Sequence, residues 1–294
     1  MKQTIEAKTV GDSNPDAPAG KRIKLSWVGK LGLFIVIFWM VIALIGPYIA
    51  PYHEAELIAD DSYLPASSQF LIGSDYLGRD ILSRILWGTR TTIGISLAAT
   101  LLAYFTGITL GIAAAARGGW TDMGLSRVND VFLALPNIML ALIVIAAFGS
   151  SIPILIATAG LVYSCGVFRV ARALAQEISV ESYVTAAKAR GEGSWWIITR
   201  EILPNIMMPL ATDFGFRLVF IILFISSLSF LGLGVQPPTA DWGSMVRENM
   251  QGLSYGSWAA VWPAIAIATL TISLNLVVDD ISAQSGGELA KKMI

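Results

Sequence analysis

Five long stretches of this chain contain no Asp, Glu, Lys or Arg, and they limit the possible folds more than any other feature. They run Leu31–His53, Thr91–Ala116, Val131–Phe168, Leu218–Ala240 and Asn249–Val278. A helix needs about 20 apolar residues to cross the hydrocarbon core of a bilayer. Four stretches fit one crossing each. Val131–Phe168 is too long for one, and its middle reads Gly149-Ser150-Ser151-Ile152-Pro153, a turn signal. Split there, it becomes a tight helical hairpin. The chain is therefore read as an all-α integral membrane protein with six spans, near 30–50, 92–115, 131–149, 153–172, 207–232 and 258–279. A soluble all-α protein with helices this long needs charged outer faces. Charged residues make up only 14% of this chain, against about a quarter in an average soluble domain.

The first apolar run follows the basic cluster Lys21, Arg22, Lys24 and Lys30. It is longer than a secretory signal core and has no small-residue cleavage site, so it reads as an uncleaved span. Residues 1–27 are polar and read as a disordered tail. With the N-terminus inside, fifteen of the 20 Lys and Arg residues fall in inner segments. The outer segments hold only Arg79, Arg84, Arg90 and Arg247. The positive-inside rule then puts both termini in the cytoplasm. The net charge of -1 argues against nucleic acid as a partner. One cysteine, Cys165, and one histidine, His53, leave no basis for a disulfide framework or a Cys/His metal site.

Three polar segments carry further information. The loop after span 1 contains Gly73-Ser74-Asp75-Tyr76-Leu77-Gly78-Arg79-Asp80-Ile81-Leu82-Ser83-Arg84. Asp80 and Arg84 share a face if this part is helical. Ile81, Leu82, Ile85 and Leu86 suit a short helix along the outer membrane surface; a linker with a solvated charge pair fits the residues as well. The segment 173–206 reads as helix, Gly hinge, helix. Ser182 is a candidate N-cap, Gly191 a left-handed helix end, Ser194 the cap of a second helix, and Pro204 its interruption. Ala186, Ala187 and Ala189 give the first helix a flat small-residue surface, suited to a narrow groove on another protein. Trp195 and Trp196 suit a lipid interface. In the loop 233–257, Pro237-Pro238 stops a helix, and Asp241 is placed to cap a short one carrying Trp242 and Met245.

Together these segments resemble the second permease subunit of binding-protein-dependent di- and oligopeptide ATP-binding-cassette (ABC) importers, a group that includes nickel and glutathione importers. Thr185-Ala186-Ala187…Gly191…Leu203-Pro204 matches the spacing of the importer signature Glu-Ala-Ala, three residues, Gly, nine residues, Ile-x-Leu-Pro. Ile45–Tyr52, Gly73…Arg84 and Phe230–Pro238 are similar to that subunit's own signatures, and the likeness covers about residues 28–282. Thr185 replaces the signature Glu, Glu201 replaces Ile, and Asp279-Asp280-Ile281-Ser282-Ala283 lacks the family's usual Arg.

The resemblance implies a type I ABC importer transmembrane domain at 91–282 with its coupling loop at 173–206. A first span and outer loop at 28–90 precede it, and a tail at 283–294 follows. It implies ATPase coupling through Thr185, Ala186, Ala187, Lys188, Arg190, Gly191, Leu203 and Pro204. Asp213, Arg217, Phe220 and Phe224 are candidates for the path or gate. Asp75, Arg79, Asp80, Asp241 and Trp242 are candidates for docking a binding protein. The implied partners are a homologous permease about a pseudo-two-fold axis, two ATPase subunits carrying ATP and Mg, an extracytoplasmic solute-binding protein and the inner-membrane bilayer. No cofactor is expected in this chain. Within the spans, Asp213 and Arg217 lie four apart near the inner end of span 5, Gly107 and Gly111 form a close-contact step on span 2, and Pro136 kinks span 3. The competing readings are a solitary secondary transporter or channel and, more remotely, a membrane-embedded enzyme. No Gly-x-x-x-x-Gly-Lys-Ser/Thr phosphate loop is present, which suits both transporter readings.

Overall fold

The computed structural model describes residues 25–292, with side chains to 283. The tail expected at 1–27 therefore lies outside the described residues up to position 24. Helix α1 (Trp27–Ile49) begins where Ser26 Oγ accepts the Gly29 N–H at 3.1 Å. Helix α2 (Ile81–Arg117) begins in the same way, with Asp80 Oδ2 accepting the Ser83 N–H at 2.7 Å. There follow α3 (Gly119–Leu133), α4 (Asn137–Phe148), α5 (Ile152–Ser179), α6 (Ser182–Ala189), α7 (Ser194–Ile197) and a π-turn (Ile198–Ile202). The chain continues through α8 (Leu203–Phe230), α9 (Trp242–Asn249), a 3-10 segment (Met250–Tyr255) and α10 (Val261–Lys292). The tail expected from residue 283 is thus a continuation of α10 as far as Lys292. No strand occurs among the described residues.

Five helical stretches are long and apolar enough to cross a membrane: α1, α2, α5, the continuous Ser194–Phe230 stretch, and α10 to Ala283. The pair α3–α4 is apolar enough to make a sixth crossing only if its two bent halves together count as one span. The continuous helix expected over 131–149 does not exist. The helix starts at Gly119 and breaks at 134–136, where its two halves meet at 88°. Pro136 explains the break, since it has no N–H to donate and forces the residue before it out of helical geometry.

Two further expectations are corrected. Ile81–Leu86 is not a separate surface helix but the opening turns of α2. Pro204 does not interrupt its helix: the wider π-turn at 198–202 feeds directly into α8, with the Leu203 N–H donating to Ile198 O, and Pro204 sits in the first turn of α8. The wider π-turn just before it accommodates the missing N–H and the ring.

Helices α2 and α5 form the central seam. A Cβ on Gly107 would stand 2.6 Å from Val167 Cβ, and one on Gly111 would stand 2.8 Å from Phe168 O. The close-contact step read from sequence thus lets two backbones touch. Helix α1 lies outside this seam against α10, where Trp39 Nε1 donates to Thr269 Oγ1 at 3.2 Å. The rest of α1 exposes a nearly continuous apolar surface, including Phe34, Phe38 and Leu44. Three buried clusters lie along the bundle. Ile81, Trp242 and Met245 centre the end formed by the 50–80 loop and α9, called here the cap. Ile95, Leu155 and Leu228 fill the middle. Val184, Ala187 and Ile202 fill the opposite end.

Candidate coupling surface and polar sites

Helix α6 is short and two-faced. Val184 and Ala187 are fully buried against Ile197, Ile202 and Ile206, and Leu203 packs on the same cluster. The opposite face exposes Ser182, Thr185, Ala186 and Ala189, a small-residue stripe at helical spacing. The flat surface expected from Ala186, Ala187 and Ala189 is corrected in one member, because Ala187 points inward. Ser182 is the first helical residue rather than the cap, a position taken by Glu181.

The helix ends in a Schellman motif. Gly191 has φ +84, its N–H donates to Lys188 O at 3.0 Å, and the Glu192 N–H donates to Ala187 O at 3.2 Å. Lys188 Nζ reaches back to Ser179 O at 3.3 Å, which ties α6 to the end of α5. Arg190 is exposed beside Glu192. Pro204 is exposed at the start of α8 and Leu203 is half-buried beneath α6, so these two support the surface rather than extend it. Trp195 projects outward, 78% exposed, while Trp196 packs on the inner cluster.

Asp213 and Arg217 pair at 2.7 Å, and Tyr104 of α2 donates its hydroxyl to Asp213 at 2.5 Å. The Arg217 guanidinium lies over Gly166 of α5, where a side chain would collide with it. The pair sits within the 194–230 helix, with Asp213 about 28 Å along from Ser194 at 1.5 Å per residue. Phe220 is 57% exposed. Phe224 is a core residue, 6% exposed and edge-on to Tyr163 at 5.3 Å, so it is not a free gate.

The five side chains expected at a docking surface are interior. Asp75, Arg79, Asp80, Asp241 and Trp242 are each at most 3% exposed. Asp75 accepts Arg79 Nε at 2.6 Å, and Glu248 of α9 accepts from Arg79 and Arg84, each at 3.1 Å. Arg84 therefore joins Asp75 and Glu248, not Asp80, which is occupied with capping α2. Asp241 caps α9 through the Ser244 N–H at 3.0 Å, as its position foretold, and also accepts Thr92 Oγ1 at 2.9 Å. Trp242 Nε1 donates to Ile85 O at 3.2 Å. Glu54 closes the frame, accepting the Ala240 N–H at 2.6 Å. These residues hold the cap together. The cap exposes the apolar Leu57, Leu71, Tyr255 and Trp258, and beside them the acidic Glu56, Asp60 and Asp61.

Residues 107–283 match the family described as "binding-protein-dependent transport system inner membrane component". The chain belongs to this family. Among its relatives is the glutathione transport system permease protein GsiD of Pectobacterium atrosepticum, 36% identical over 84% of this chain and 82% of that one. The dipeptide transport system permease protein DppC of Alkalihalophilus pseudofirmus is 32% identical over 90% of this chain and 88% of that one. A solved amino acid ABC transporter chain shares the fold, with a TM-score of 0.51, 15% identity, and coverage of 67% of this chain and 91% of that chain. The chain is thus a permease subunit of an ABC transporter with the type I helical fold, not an enzyme.

Several elements of the permease had no signal in the sequence. Glu248 of α9 and Glu54 of the outer loop belong to no motif in the sequence, and Tyr104 is one aromatic in an apolar span. Their roles arise only when α9, the 50–80 loop and α8 are packed against α2. Arg172 and Asp122 form a further ion pair joining α5 to α3, which sequence spacing does not suggest.

Proposed function

We propose that this permease supplies half of a translocation path for a peptide or peptide-like solute. A soluble binding protein delivers the solute, and a second homologous permease supplies the other half about a pseudo-two-fold axis. Two ATPase subunits, which carry the ATP and Mg, power the cycle. The observation that carries the reading is α6: an exposed small-residue stripe on a helix whose other face is fixed in the core. Such a helix seats in a groove of a partner and transmits a rigid-body motion, because its inward face cannot slip. Closure of the ATPases would drive two such helices together and switch the permease pair between inward- and outward-facing states. A solitary transporter leaves this stripe without a task.

The α6 end then faces the cytoplasm of an inner-membrane protein, with both termini on that side. The cap faces outward, and its exposed rim, with Leu57, Leu71, Tyr255 and Trp258 beside Glu56, Asp60 and Asp61, is the surface offered to the binding protein. The names of the relatives, glutathione and dipeptide permeases, support a peptide-like solute. Uptake is measured in cells with and without the partner ATPases. It should vanish without them; undiminished uptake would overturn the reading.

A further inference from the structure

A cavity of about 600 Å3 opens between α3, α5 and α8. Ser126, Asn129, Asp130, Arg169, Arg172 and Arg217 supply its polar lining. Two of its three guanidiniums are already engaged: Arg172 holds Asp122, and Arg217 Nε holds Asp213 at 2.7 Å. Arg169 is exposed and makes no ion pair or side-chain hydrogen bond among the described residues. Asp130, the one carboxylate in the lining, is exposed and likewise makes no ion pair or side-chain hydrogen bond among the described residues, although it lies within the field of Arg172. Asn129 is 8% exposed, and its Nδ2 donor has no partner.

Charges within membrane spans are costly unless they face a partner or a water-filled path. Arg169 lies about 15 Å before the end of α5, and Asp130 three residues before the end of α3. The chain thus leaves one cation, one anion and one buried amide donor facing a single cavity. A phosphate, free or on a lipid, would use the guanidiniums but be repelled by Asp130. A ligand with both charges uses all three groups.

We propose that this cavity is a transient site for the zwitterionic ends of a short peptide, with Arg169, backed by Arg217 and Asn129, receiving the carboxylate and Asp130 receiving the ammonium. The site rests on the reading of the chain as a permease for peptide-like solutes and goes beyond it by naming what the permease itself recognises. It reads termini, not side chains, so trialanine is a sufficient probe.

The test uses the assembled importer in phosphatidylcholine proteoliposomes, with Cys165→Ala and Ala173→Cys. Ala173 is exposed and lines the cavity. Labelling of the new thiol by N-ethylmaleimide is followed with trialanine, N-acetyl-trialanine or trialanine amide present. Trialanine should slow labelling, and each capped form should need about tenfold more for equal protection, the loss expected for one charge-assisted hydrogen bond. Asp130→Asn should abolish the difference between trialanine and its N-acetyl form. Arg169→Gln should abolish the difference between trialanine and its amide. Absence of protection by trialanine, or equal protection by the capped forms, overturns the site. So does protection that depends on added phosphatidylglycerol and ignores peptide. ATP-driven uptake by the same vesicles separates the two levels. Uptake that needs no ATPase defeats the importer reading, whereas ATPase-dependent uptake with labelling blind to the termini defeats only the site.

Discussion

Ala186 and Ala187 are neighbours with opposite duties. Ala187 is fully buried beneath α6 and Ala186 is exposed. A carboxylate at Ala187 meets no partner in an apolar cluster, and burying it costs several kcal/mol. Ala187→Glu should therefore lower the melting temperature of the purified permease. Ala186→Glu should leave melting and membrane insertion unchanged while abolishing ATP-coupled uptake. Equal melting of the two variants would show that the assignment of faces is wrong. Asp241 offers a second test at this scale. Burial pushes its carboxyl above the ordinary range, against the hydrogen bonds from Ser244 and Thr92. A raised folded-state value means that the protonated form is favoured by folding. The contribution is present below the usual carboxylate range and is lost as pH rises through the raised value. Asp241→Asn removes the titration, so its melting temperature should fall less than that of the unaltered chain between acid and neutral pH.

Among elements, the α2–α5 seam is the least forgiving. A Cβ on Gly107 would stand 2.8 Å from Ser164 O, a backbone atom that cannot turn aside. Gly107→Leu should destabilise the bundle by about 1–3 kcal/mol or more, as overpacking does, and should be visible as a shifted denaturation midpoint. Gly191 contrasts with it. Its surroundings are open, and its requirement is the positive φ of the Schellman turn. Periodicity and charge-free length revealed the existence of the spans but not the break between α3 and α4. Pro136 marked a kink, yet whether a proline bends a helix slightly or divides it at 88° depends on what its halves pack against. Pro204 shows the reverse: a π-turn upstream absorbs it, so an apparent stop joins two helices.

Across the whole molecule, the cap and the α6 end are separate clusters joined by the long helices. The buried carboxylates and arginines of the cap, Asp75, Arg79, Arg84 and Glu248, hold the 50–80 loop on α2 and α9. Removing one partner of a buried pair typically costs about 3–5 kcal/mol, because it strands the others. Glu248→Ala should speed amide exchange throughout residues 54–84 and α9 and leave the α2–α5 seam protected. Exchange that rises equally everywhere would mean the cap is not an independent frame.

The sequence alone determined the membrane setting, the five long apolar helices, the close contact at Gly107 and Gly111, the hinge at Gly191 and the Asp241 cap. Each of these follows from local chemistry: a run without charges, a missing side chain, a positive φ or an oxygen beside a free N–H. Tertiary structure decided which way residues face. It turned Ala187 inward and drew Asp75, Arg79 and Trp242 into the interior. It also set Phe224 in the core and brought Arg169 and Asp130 to one cavity. Burial is a property of two surfaces meeting, and one strand of sequence holds only one of them.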